Sequence, residues 1–516
     1  MIKVILGLGS NTKYEEMQPV ELLAAGCISL SELLCGMQVS SVYESKAMYV
    51  TDQENFYNMA VKGFVPEGTD PFEFLNKINR IEAKYGRDRE KEIRFGPQTD
   101  DHDYNFKLKH AISFLQDGDK VKATIRFRGR QIAHSEIGME VMKDFAERIK
   151  DYGTMDALPS AEGCDILDAE GGWLFPSFCD SHTHIVFAGS REQEFLDKIN
   201  GLSYEEIAKR GGGILNSADR LHDTSEDELY RQAMERVEEI IAMGTGLVEI
   251  KSGYGLTLED ELKILRVIKR IRETSPIAVR ATFLGAHAVG RAYRGRQAEY
   301  VDHVCNDMIP AVAKEGLADF VDVFCDKGFF TVEETSKIME VGAKYGLRAK
   351  IHANELAISG GVEVGVEHKA LSVDHLESMG DEQIEALRGT ETMPTMLPGC
   401  AFFLGITYPP ARKMIDAGLA VALASDFNPG TAPSGNMRFV VSLGSIKMKM
   451  TPAEALNAAT LNSACAMGES RDYGSITRGK VANFYITKPL PSLAWLPYAH
   501  QTPIIRKVVL KGEVVK

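Results

Sequence analysis

The chain has 516 residues, 44% of them hydrophobic and 26% charged, which excludes a disordered, collagen-like or disulfide-scaffold protein. At ~100–200 residues per domain, that length implies three or four domains. The 59 basic and 73 acidic side chains leave a formal charge of −14, which excludes a uniformly basic nucleic-acid binder and requires charge to be read segment by segment.

Residues 1–99 open with a predicted strand, KVILGLG, then a helix-like apolar pattern, a strand SSVYES and a strand FYNMAVKGFVP. A helix from Asp70 to about Tyr85 completes a small α+β module. Residues 100–162, overlapping the strand KEIRF from about 92, continue with a helix (FKLKHAISFLQ), an alternating strand (VKATIRFRG) and a second helix (GMEVMKDFAERIKDYG). This is a second small α+β module, and the turn-rich TMDALPSAEGCD joins it to the C-terminal two thirds of the chain.

From 163 to 516 the texture is α/β: short apolar strands separated by long amphipathic helices. Eight strands stand out: FPSFCDSH, GLVEIK, VRATFL, FVDVFC, RAKIHA, LSVDH, TMPTML and AVALAS. Eight β-α units imply a closed (β/α)₈ barrel. Short strands near 164–175 (CDILDAEGG) and within 473–516 (NFYITKP, IRKVVLKGEVV) imply a partial β-sandwich beside it. Its unpaired edges favour pairing with a second copy, hence a homodimer.

Eight scattered cysteines with no C-x-x-C pair suit thiols in a reducing compartment. No stretch approaches the ~18 apolar residues of a membrane span. MIKVILGLGSN carries no cleavage-type segment, so a cytoplasmic chain without membrane contact is expected.

His182-Thr183-His184 ends the first barrel strand, and residues i and i+2 of a strand face one side, toward the rim where barrel active sites lie. His287, His352, His375 and Asp426 end the third, fifth, sixth and eighth strands. Such convergence is rarely chance among twelve histidines. Three imidazoles and a carboxylate suit one Zn²⁺, with iron also open, and the cation lowers the pKa of a bound water toward ~7. Glu355, three residues after His352, is a proton-shuttle candidate. Cys325 rather than lysine at the end of the fourth strand argues for one metal, not a carboxylated-lysine pair.

These residues resemble the amidohydrolase superfamily and, within it, the imidazolonepropionases, over about 164–516. The carrying segments include DSHTHIVFAGSREQEF, VEIKSGYGL, TFLGAHAVG, IHANEL, LSVDHLE and SDFNPGTAP. The resemblance implies metal-dependent hydrolysis of 4-imidazolone-5-propanoate to N-formimino-L-glutamate in histidine degradation. It implies His182, His184, His352 and Asp426 as metal ligands, Arg191 for the substrate carboxylate and Tyr254 as a substrate contact. His287 contacts substrate and polarises the ring carbonyl, while Glu355, a substrate contact itself, handles protons with His375. Asp426 accepts the proton of the water, and Asn428, Gly430 and Thr431 bind product. A deaminase or another cyclic amide or amidine hydrolase of the superfamily is the alternative.

Residues 1–103 resemble hydroxymethylpterin pyrophosphokinase through ILGLGSN, SSVYES, DQENFYNMAV, NRIEAKYGRDR and FGPQTDDHD. That implies a pterin pocket at Phe56 and Asn58, an ATP side at Glu82, Arg87 and Arg89, and Mg²⁺ on Asp101 and Asp103. Gln98 stands where that family has arginine, and the pattern ends after Asp103. Residues 92–162 resemble the C-terminal domain of bacterial translation initiation factor three through KEIRF, the continuous run from TDDHDYNF to RGRQIAH, and EIGMEVMKDFAERIKDYG. Asp101 and Asp103 fit both patterns. Within 120–130, Lys120, Lys122, Arg126, Arg128 and Arg130 form a basic cluster suited to an rRNA backbone. The chain therefore reads as a fusion: an enzyme behind two clipped modules, with ribosome binding or residual pterin chemistry as its other possible activities.

Overall fold

The computed structural model describes residues 1–10, 17–45, 56–70, 74, 77–78, 81, 90–95, 107–109, 120–125, 147–150, 166–202, 206 and 212–516. They belong to two compact units, 1–142 and 143–516.

In the first unit, β4 (Phe56–Val65) pairs antiparallel with β1 (Ile2–Ser10), β2 (Cys35–Val39) and β3 (Tyr43–Ser45). The helix Pro19–Ser31 has proline at its start and Glu21 reaching back 2.7 Å to the Gln18 backbone N–H, which satisfies an otherwise orphan donor. Its Cys27 and Leu30 pack with Leu34, Val61 and Val65 into a small core. Phe74, Lys77, Ile78 and Ile81 are helical, as the sequence predicts, and Phe74, Ile78 and Ile81 meet that core at helical spacing. β5 (Glu90–Phe95) and β6 (Lys120–Ile125) pair in parallel, with Lys107–Lys109 helical between them, which is a β-α-β crossover. Glu82, Arg87, Arg89, Gln98, Asp101, Asp103, Arg126, Arg128 and Arg130 lie outside the described residues.

In the second unit, residues 147–150, inside the stretch expected to be a helix, are not helical. Arg148 forms an antiparallel bridge with Val481, and Ile149 exchanges 2.8 Å backbone bonds with Gly479 and Lys480. The Arg148 guanidinium lies 2.5 Å from Asp472 and 2.9 Å from the Gly479 carbonyl. Two strand-type bonds and an ion pair between half-buried partners outweigh local helix propensity.

The barrel strands run in parallel in the order β8 (Phe178–Thr183), β9 (Thr245–Lys251), β10 (Ala278–Ala286), β11 (Phe320–Cys325), β12 (Arg348–Ala353), β13 (Ser372–His375), β14 (Met393–Met396) and β15 (Ala422–Leu423). They are buried on both faces, with polar residues such as Asp180, Glu249, Lys251 and Asp322 set among the apolar ones. The last strand meets the first at the rim: Asp426 N–H donates to His182 O at 3.0 Å and His184 N–H to Phe427 O at 2.8 Å. Below them, fully buried Asp180 accepts from the Ser425 N–H at 2.9 Å and its hydroxyl at 2.5 Å. Ser425→Ala leaves that carboxylate short of a donor, and chemical denaturation should show a loss of about 1–3 kcal/mol.

The sandwich sheet runs β7 (Leu174–Pro176), β16 (Phe484–Thr487), β17 (Ile505–Leu510), β18 (Glu513–Val514), antiparallel throughout. The strand expected at CDILDAEGG is absent from residues 166–170, and β7 begins at Leu174 instead. The physical reason is a turn: Asp168 accepts from the Glu170 N–H at 2.7 Å, and Gly172 N–H bonds Ala169 O at 2.8 Å. FPSFCDSH likewise divides at Ser177, where the chain passes from sandwich to barrel.

Candidate active site

The barrel rim gathers the histidines that the sequence places at separate strand ends. His182 and His184 have ring centroids 5.3 Å apart, and His352 lies 4.4 Å from His182 and 5.6 Å from His184. One donor atom from each of the three falls within 4.8 Å of the others, and the same holds for His182, His375 and Asp426. The Asp426 Oδ1 atom is 3.7 Å from Nε2 of both His182 and His184. Tetrahedral N and O ligands at ~2.0–2.2 Å from a zinc ion would stand about 3.4 Å apart, so these spacings fit a shared cation with small adjustment.

Carboxylates behind the rings orient them. His182 Nδ1 donates to Asp374 at 2.7 Å, and His352 Nδ1 sits 2.9 Å from Asp322. That leaves Nε2 of both rings buried with no hydrogen-bond partner, as expected of nitrogens reserved for a metal. Burial and the neighbouring cations hold His182 and His184 well below the usual imidazole range, in the neutral form that ligates.

Beneath these carboxylates is a charge layer that the strand ends alone do not reveal. Lys251 contacts Glu249 at 2.5 Å, Asp322 at 2.8 Å and Asp374 at 3.5 Å. Lys350 pairs with Glu249 and donates 2.9 Å to the Ser181 carbonyl. All five side chains are buried. The signal was available: Lys350 stands two residues before His352, and Glu249 two before Lys251, so each pair faces the barrel interior at the strand period.

A cavity of about 240 Å³ opens beside this cluster and is lined by His184, Arg191, Tyr254, His287, His352, Glu355, His375, Asp426, Asn428 and Thr431 among others. His287 Nδ1 donates to the Gly253 carbonyl at 3.0 Å. Gly253 has φ +108°, and a Cβ there would stand 2.9 Å from that ring nitrogen, so both backbone and space require glycine. Burial lowers His287 to about 3, so the neutral ring offers Nε2 as an acceptor. Arg191 is held by Glu194 at 2.6 and 2.9 Å, and Glu194 also accepts from Gly213 and Asn216. Gly430 supplies the flat surface beside Arg191: a Cβ there would lie 2.1 Å from its Nη1. Asn428 is committed to its own turn, accepting from the Gly430 and Thr431 N–H groups at 2.8 Å and donating to Asp426 O at 2.7 Å.

His375 Nε2 lies 3.6 Å from Glu355, and its Nδ1 is 3.6 Å from Glu377, the last residue of LSVDHLE, to which the sequence assigned no role. Burial alone lowers an imidazole, yet the two carboxylates hold His375 well above its ordinary range. His375 and Asp426 also adopt left-handed backbone, φ +86° and +58°, a conformation that costs of order 1–3 kcal/mol per residue and clusters at functional sites.

A (β/α)₈ barrel with a histidine-rich cluster at the C-terminal rim, a carboxylate from the last strand and a flanking sandwich defines an amidohydrolase. Residues 173–515 match the amidohydrolase family. The fold is shared with 5-methylcytosine deaminase from Klebsiella pneumoniae, at TM-score 0.55 and 16% identity over 68% of this chain and 90% of that one. Triazine hydrolase from Arthrobacter aurescens has TM-score 0.53 and 15% identity over 68% and 84%. Nearer in sequence are the imidazolonepropionases of Flavobacterium johnsoniae, 57% identical over 73% of this chain and 91% of theirs, and Christiangramia forsetii, 57% over 72% and 90%. That of Thermoanaerobacter pseudethanolicus is 42% identical over 64% and 80%. The chain belongs to the imidazolonepropionase family of amidohydrolases, and is a hydrolase. Ahead of the barrel, residues 5–110 match 7,8-dihydro-6-hydroxymethylpterin-pyrophosphokinase and residues 89–167 match the C-terminal domain of a translation initiation factor. Among the described residues no helix is long and apolar enough to cross a membrane.

Proposed function

We propose that the chain hydrolyses 4-imidazolone-5-propanoate to N-formimino-L-glutamate, a step of histidine degradation. The observation that carries this reading is one cavity lined by His184, His287, His352, His375 and Asp426 together with Arg191 and Tyr254, with His182 behind it completing the donor cluster, which fits a small anionic ring compound beside a cation. His182, His184, His352 and Asp426 would hold a divalent ion, Zn²⁺ by donor set with iron the other candidate. When bound, such an ion supplies Lewis acidity and a water nucleophile at neutral pH.

The chain's own groups do the rest. Arg191, braced by Glu194, takes the propanoate carboxylate. Neutral His287 presents an acceptor to the cavity, so it suits a ring N–H of the substrate better than the ring carbonyl that the resemblance implies. His375 carries the proton destined for the departing ring nitrogen, and Glu355 relays it, so the C–N bond breaks to a neutral formimino nitrogen rather than an anion. Asn428, Gly430 and Thr431 shape the loop against which Arg191 and the product rest.

The assay is loss of imidazolone ultraviolet absorbance by the metal-replete chain with no ammonia released; ammonia release would move the chain to the deaminases. Gly430→Ala should raise KM about 10-fold or more while changing kcat less, because its Cβ displaces Arg191. An unchanged KM would remove Arg191 from carboxylate binding. For the residues before the barrel, the two further resemblances support Mg²⁺ on Asp101 and Asp103 with ATP beside Glu82, Arg87 and Arg89, and an rRNA contact through 120–130, in a cytoplasmic chain.

A further inference from the structure

The proton-handling pair of the cavity is backed by a thiol. Cys400, fully buried at the start of the helix Pro398–Leu404, places Sγ 3.7 Å from Glu355 Oε1. Glu355, His375 and Cys400 each offer one donor atom, and the three atoms lie within 4.8 Å of one another. None of the three belongs to the ligand set His182, His184, His352 and Asp426.

The spacings are those of a cation site. Around a tetrahedral zinc ion with Zn–S ~2.3 Å and Zn–N or Zn–O ~2.0–2.2 Å, sulfur and oxygen stand about 3.6 Å apart and nitrogen and oxygen about 3.4 Å. Here sulfur stands 3.7 Å from Oε1 of Glu355 and the His375 nitrogen 3.6 Å from its Oε2, so a carboxylate turn of the Glu355 side chain brings one oxygen between the other two donors. Glu377, 3.6 Å from His375 Nδ1, draws the ring proton to that nitrogen and frees Nε2 to ligate. The Glu377 carboxylate and Nδ1 of His375 are buried with no other hydrogen-bond partner, so each faces the other while Nε2 is turned to the thiol side. Glu355 and His375 also line the cavity, which gives an ion a path from solvent.

We propose that Glu355, His375 and Cys400 form a second, thiophilic cation site whose occupation inhibits the enzyme. Binding forms a sulfur–metal bond and releases the thiol proton to solvent, and it displaces the proton that His375 carries for the leaving nitrogen. The cation therefore removes the acid and its relay together, while the ion at the other site stays in place. The soft thiolate selects Zn²⁺, Co²⁺ or Cd²⁺ over Mg²⁺. The inhibitory half of the inference rests on the proton-handling role of Glu355 and His375 in the proposed hydrolysis; the binding half does not.

The test titrates the whole chain, purified with one metal ion per chain, with Co²⁺. A second equivalent should bind with a thiolate-to-cobalt charge-transfer absorption as hydrolysis falls about 10-fold or more, and Mg²⁺ should do neither. Cys400→Ser and Cys400→Ala should keep basal hydrolysis, lose the absorption and bind the second equivalent at least ~10-fold more weakly. Persistence of the absorption in both variants, or a second equivalent held equally well by them, overturns the site. A second equivalent bound through Cys400 with hydrolysis unchanged overturns the inhibition. A chain that never hydrolyses the imidazolone, yet shows the Cys400-dependent absorption, fails the functional reading and retains the site.

Discussion

His182→Ala should leave the purified chain with well under one metal ion and slow imidazolone hydrolysis on the order of 10³-fold or more, because Lewis acid and nucleophile depart together. His182 is fully buried, its Nε2 has no protein partner, and its removal takes one of three imidazoles from the cluster. The fold should survive, since Asp374 keeps a 2.5 Å bond from Ser372 and the lysines at 3.5 and 3.8 Å. Elemental analysis, the hydrolysis assay and a melting curve on one preparation separate the outcomes. Full metal content with full activity would remove His182 from the site altogether. Asp374→Asn tests the supporting carboxylates more gently, with an expected 10–100-fold loss of metal affinity.

Lys251→Met should cost about 3–5 kcal/mol of unfolding free energy, as expected when one partner of a buried charge network is removed. The substitution fits the space but takes the lysine from Glu249, Asp322 and Asp374, leaving Lys350 as the one lysine beside Glu249 and Asp374, and Asp322 with His352, all in a buried interior. Burial by itself would raise Asp322, yet His352 and Lys251 hold its carboxyl far below the usual range. A carboxyl so lowered adds stability that is complete above its unfolded pKa and is lost only as pH falls through the lowered value. Urea unfolding at neutral pH measures the loss. Lys251→Met/Glu249→Gln, which removes a cation and an anion together, should be milder than Lys251→Met; an equal or greater cost would mean that Lys251 matters by packing and not by charge.

The rim chemistry was legible because strand geometry forces it. A residue that ends a parallel barrel strand faces the same mouth as its counterparts, so His182, His184, His287, His352, His375 and Asp426 converge whatever the loops do. Arg191 was legible only through the resemblance, since a loop arginine has no period to betray it. Its seat against Gly430 joins segments more than two hundred residues apart. Cys400 carried no signal, for a cysteine at a helix start is ordinary until the fold lays it against Glu355. Glu147–Lys150 went wrong for the same reason: the amphipathic pattern is helical, and the sandwich edge that captures it is more than three hundred residues away.

Strand order, the barrel and the donors at its rim are set by the sequence pattern, because periodicity of two, helix-length spacing and residue type are local properties. The orientation of the rim histidines, the lysine–carboxylate layer under them, the raised pKa of His375 and the pairing of residues 147–150 arise only once the chain has folded. Each of these depends on which charges and backbone edges distant segments bring within a few ångströms, where low dielectric makes their interaction strong.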